Sequence, residues 1–70
     1  MDHINTDHVL IEPDDRFLVL IHENGFMPFA ITAVPTQHEA ESTLAMMTTL
    51  AKRQSSKATF SVAPIRNRLN

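Results

Sequence analysis

The chain contains no cysteine, no tryptophan, no tyrosine and only one glycine in 70 residues. Without cysteine it has no disulfide, no thiolate for zinc and no thiol nucleophile. A P-loop or a dinucleotide fingerprint needs several glycines to bring backbone close to phosphate, and one is too few. The single glycine also rules out a G-x-S-x-G serine nucleophile. The missing Trp and Tyr remove the usual platforms for stacking nucleic-acid bases. Long apolar runs are missing as well: the longest stretch of large apolar residues, Phe17 to Ile21, is far short of the ~20 residues of a spanning helix. A signal peptide would begin with basic residues and an apolar run, whereas Met1 to Asp7 is acidic and polar. These absences predict a cytoplasmic protein with no membrane partner, and a cysteine-free chain suits a reducing compartment.

Seventy residues allow one domain, residues 1–70, with 1–6 and 66–70 expected to fray as tails. A single core of this size supplies only about 3–5 kcal/mol net, so oligomerisation is a natural staple.

What the chain does contain centres on Asn24-Gly25, set between Arg16-Phe17-Leu18-Val19-Leu20-Ile21-His22 and Met27-Pro28-Phe29-Ala30-Ile31-Thr32-Ala33-Val34. An Asn-Gly pair between two β-rich runs is a strong hairpin signal, because both residues tolerate positive φ. A four-residue loop, Glu23 to Phe26, opposes His22 to Met27, Leu20 to Phe29 and Leu18 to Ile31. It also turns the missing N–H of Pro28 outward, which marks the second strand as an edge.

Thr36 with Glu39 three residues on reads as a capping box. Ala40, Thr43, Leu44, Met47, Leu50 and Ala51 form an apolar stripe at helical spacing, with Met46 on its border. The helix is predicted from Gln37 to Arg53 or Gln54. Ala58 to Ala63 alternates as a strand, with Phe60 and Val62 inward, and Pro64 ends it. A right-handed crossover through the helix places this strand beside the first. The predicted fold is α+β: a small single-layer sheet of three strands, order second–first–last, with one helix on one face. His8 to Glu12 would add a fourth, leading strand.

One helix covers one face, and Leu18, Leu20, Phe29, Ile31, Phe60 and Val62 are assigned to it. That leaves Phe17, Val19 and Ile21 looking out from the other side of the central strand. Burying each is worth roughly 1.5–3 kcal/mol, so a cover is expected from residues 8–11, from a second copy or from another protein. The sequence-level interface is therefore Phe17, Val19, Ile21, Pro28, Ala30 and Met46, with a homodimer or a protein target as partner.

Charge is lopsided although the net value is only −2. Every carboxylate lies at or before Glu41, whereas Lys52, Arg53, Lys57, Arg66 and Arg68 all follow it. Those bases carry the alternative reading, a nucleic-acid-associated regulator, although a sparse basic patch on an acidic chain is a weak footprint. The pairs Asp14-Asp15 and Glu39/Glu41 read as an exposed turn and a helix start, so catalysis is not expected.

Four histidines raise metal binding. Met1-Asp2-His3 has the amine-to-imidazole spacing that wraps Cu(II) or Ni(II), as any tail with a third-position histidine does. His38 with Glu41, joined by His22 or His8, has no motif to fix its geometry. No metal and no cofactor are expected. The function read from the sequence is a non-enzymatic interaction module, of a kind suited to accessory or inhibitor proteins of phages and mobile elements.

Overall fold

A computed structural model describes residues 4–65. Its elements run β1 (Phe17–His22), β2 (Phe29–Val34), α1 (Gln37–Arg53) and β3 (Thr59–Pro64). The sheet order is β2-β1-β3, with β1 antiparallel to both neighbours. This is the predicted α+β layout of three strands and one helix. Among the described residues no helix is long and apolar enough to cross a membrane.

The helix starts where its chemistry dictates. Thr36, in extended conformation, accepts the Glu39 N–H at 3.1 Å. Its hydroxyl donates in turn to the Glu39 carboxylate at 3.2 Å. The second half of the box is thus a side-chain pair rather than a bond to the Thr36 backbone. At the other end Ser56 N–H donates to Ala51 O at 2.8 Å and Ser55 N–H to Lys52 O at 3.1 Å. These two bonds make a Schellman closure, and they hold Ser55 at φ 57°. Left-handed backbone costs an L-residue about 1–2 kcal/mol. Ser55→Gly should therefore raise stability by about 0.5–1 kcal/mol, after allowance for the unfolded-state entropy of glycine. An unchanged or lowered urea midpoint would show that the serine is not strained.

The β1–β2 register differs from the expected one. Ile21 stands opposite Phe29 and Leu20 opposite Ala30, whereas Val19 faces Thr32 and Leu18 faces Ala33. A bulge between Val19 and Leu20 leaves Ile31 as the extra residue. The connecting loop, residues 23–28, is longer than four. It turns at Gly25 (φ 87°), with Phe26 N–H donating to Glu23 O at 3.0 Å. Of the Asn-Gly pair only the glycine has positive φ, the signature of a type II turn rather than a I′ hairpin.

The faces of β1 are exchanged relative to expectation, whereas Phe60 and Val62 keep the helix side assigned to them. β3 pairs Val62 with Val19 and Phe60 with Ile21, so these four side chains share one side of the sheet. Ile21 and Phe60 line a groove with Met47, Leu50 and Ala51 of α1. That is the helix side, and Val19 on it has 0% of its surface exposed. Leu18, Leu20 and Ala30 form a second buried cluster on the opposite side, covered by Ile4, Val9 and Ile11 with Ala33, Ala63 and Ile65. Three of the sheet's contributions there are alanines, which lets a single strand of chain lie close. The sheet is thus closed by α1 on one face and by the leading segment on the other.

That segment is not a strand. His8 to Glu12 is irregular, and its one ladder contact is a parallel bridge from Asn5 to Phe29. Ala30 N–H donates to Asn5 O at 2.9 Å, which joins Asn5 to the edge of β2. Asp15, read as exposed, is buried: it closes the Glu12–Asp15 turn, and its carboxylate accepts Glu12 N–H at 2.8 Å.

Candidate protein-interaction surface

The six interface residues inferred from sequence do not form one surface. Val19 and Ala30 are fully buried, and Phe17, Ile21 and Pro28 are half-buried. The β1 members of the set, Phe17, Val19 and Ile21, lie on the face that the chain's own helix packs against, so that face is not open to a partner. Met46 alone is exposed, at 56%. The physical reason is the one-residue parity of the β1–β3 register, since a slip by one moves a strand's whole apolar set to the other face.

Exposed apolar area is found instead at the hairpin tip. Phe26 is 72% and Met27 60% exposed. The Gly25 turn carries both side chains past the end of the sheet. Behind them runs an open groove lined by Asn5, His8, Glu23 and Phe29. His8 meets Phe29 edge to face, with ring centroids 6.1 Å apart. Phe26 is not in the interface set inferred from sequence. The available signal was that Glu23-Asn24-Gly25-Phe26 places it within a turn, where no core-facing strand position exists. Leu10 and Leu50 are further exposed large apolar residues.

The sheet edges differ. On β2 the outward N–H of Ala30 is taken by Asn5. On β3 the ladder bonds reach only β1. Ile65 N–H donates to Arg16 O at 2.8 Å. Alternate positions in an antiparallel ladder bond to the same neighbour, so Ala63, Ser61 and Thr59 face β1 with their backbone groups. Phe60, Val62 and Pro64 turn theirs away. Pro64 has no N–H to lose there, which is where an edge strand tolerates proline.

The histidines are separated. His22 Nε2 lies 2.7 Å from Ser61 Oγ across the sheet, His8 packs on Phe29 and His38 is exposed on α1. Among the described residues no three His, Asp or Glu side chains are grouped to hold a metal ion. His3 lies outside the described residues. Of the basic set, Lys52, Arg53 and Lys57 are exposed around the C-terminal end of α1. Lys52 and Lys57 border one shallow groove with Thr48, Ser56 and Thr59. Arg66 and Arg68 lie outside the described residues. Comparison of the chain with family models, curated proteins and solved structures returns no match. Fold and surface together define a small α+β domain.

Proposed function

We propose that the chain is a non-enzymatic interaction module of the cytoplasm that binds protein, both a partner and a second copy of itself. The observation that carries this reading is the Phe26–Met27 tip, where two large adjacent apolar side chains stand in water. Burying each against a partner would gain roughly 1.5–3 kcal/mol, and aromatic anchors of this sort concentrate binding energy. A role as an accessory or inhibitor protein of a phage or mobile element suits so small a binder.

The test is a pull-down from nuclease-treated cell lysate with the wild type and a Phe26→Ser/Met27→Ser variant. Both positions are exposed, so the variant should melt as the wild type does. We expect protein captured by the wild type and lost from the variant. Equal capture by both would contradict the tip as anchor. Capture that vanishes on nuclease treatment would favour the second reading, a nucleic-acid-associated regulator. That reading is supported by the Lys52–Lys57 groove, whose cations would make phosphate contacts with a steep salt dependence.

A further inference from the structure

We infer that two copies of the chain join through the open edge of β3, pairing it antiparallel with its counterpart about Val62 into one six-stranded sheet. The inference rests on the self-association proposed above and names its surface. The outward backbone groups of Phe60 and Val62 have no strand beside them among the described residues. Pairing about Val62 joins the two copies by a reciprocal pair of Val62 hydrogen bonds, and Pro64, which has no N–H to give Phe60 of the other copy, ends the ladder on either side.

The helix supplies the reason to expect a second copy there. α1 sits over β3 and β1 more than over β2. Strands lie about 4.8 Å apart, so two helices so placed on a joined sheet would run about 10 Å apart, a packing distance for helices. Thr48 and Lys52 border the groove on the β3 side, with Thr59 and Phe60. Glu41 and Ala45 stand in the same stripe at helical spacing. The stripe therefore reads acid, small, small, base. The helices of the pair run antiparallel, and Glu41 of one copy then faces Lys52 of the other, twice by symmetry. Three turns of helix separate the two residues, a rise of about 16 Å. Val62 lies near the middle of that span, because Thr59 sits beside the helix end. Each subunit's charge asymmetry becomes complementary in the pair.

The test uses the full chain made by chemical synthesis with the Val62 amide N-methylated. This removes one outward N–H and leaves the β1 ladder and the side chain in place. Sedimentation equilibrium up to millimolar concentration reads the association, and a circular-dichroism melt confirms the fold. We expect a wild-type dimer, weakened roughly tenfold or more by N-methyl-Val62. A second readout uses side chains: Glu41→Lys and Lys52→Glu should each weaken the dimer, and the two together should restore it. A dimer indifferent to N-methyl-Val62 and to both reversals would overturn the edge while leaving self-association standing. A wild type that stays monomeric throughout would overturn both, whether the edge is bare or taken by another protein.

Discussion

Val19→Lys should leave no folded protein at room temperature. Val19 is the largest side chain with essentially no exposed surface, and it lies between β1 and the helix. A lysine there must bury an unpaired ammonium or force α1 off the sheet, a loss of several kcal/mol. Net stability for a domain of this size is only about 3–5 kcal/mol, so the far-ultraviolet spectrum should be that of an unfolded chain. Met46→Lys is the matched control, because Met46 belongs to the same sequence-level surface but is exposed. It should shift stability by no more than about 0.5 kcal/mol. A Val19→Lys variant that folds and merely loses a binding partner would show that this face opens outward.

The second large effect concerns the other face. A chain lacking residues 1–11 loses Ile4, Val9 and Ile11 from above Leu18, Leu20 and Ala30. It also loses the bond from Ala30 to Asn5. Three half-buried aliphatic side chains are worth about 2–4 kcal/mol together, to which the hydrogen bond adds about 1 kcal/mol. The truncated chain should melt broadly and bind a hydrophobic dye at 25 °C. A sharp melt within a few degrees of the full chain's would mean that the leading segment is not a cover.

The two predictions show which parts of the fold were legible in sequence. The helix was, because Thr36 and Glu39 mark its start, Ser55-Ser56 its end, and the apolar stripe its face. Strand order was too, since the crossover rule and Pro28, which marks the second strand as an edge, both put β1 in the centre. Sidedness was not. Phe17, Val19 and Ile21 are as apolar as Leu18 and Leu20, so alternation along β1 names two faces without ranking them. What ranks them is the β1–β3 register. Phe60 and Val62 do face the helix, and pairing them with odd-numbered β1 residues turns Val19 and Ile21 the same way. The bulge at Ile31 adds a second parity change, and nothing in a Val/Ile/Ala-rich run announces a bulge. A cover from residues 8–11 was named as one option, but for Phe17, Val19 and Ile21, whereas Ile4, Val9 and Ile11 lie over Leu18, Leu20 and Ala30. Three scattered aliphatic residues in an irregular segment carry no periodicity by which to choose it.

The same parity underlies the proposed function. With both faces occupied from within the subunit, the contacts we propose lie at the hairpin tip and the β3 edge. The most direct measurement is a set of methyl nuclear Overhauser effects, recorded on a sample mixing isotope-labelled and unlabelled chains. The account predicts that Leu18 and Leu20 methyls contact Ile4, Val9 and Ile11 of their own chain, and that Val19 contacts the helix. Contacts from Leu18 and Leu20 to the helix, or to the leading segment of a second chain, would contradict it.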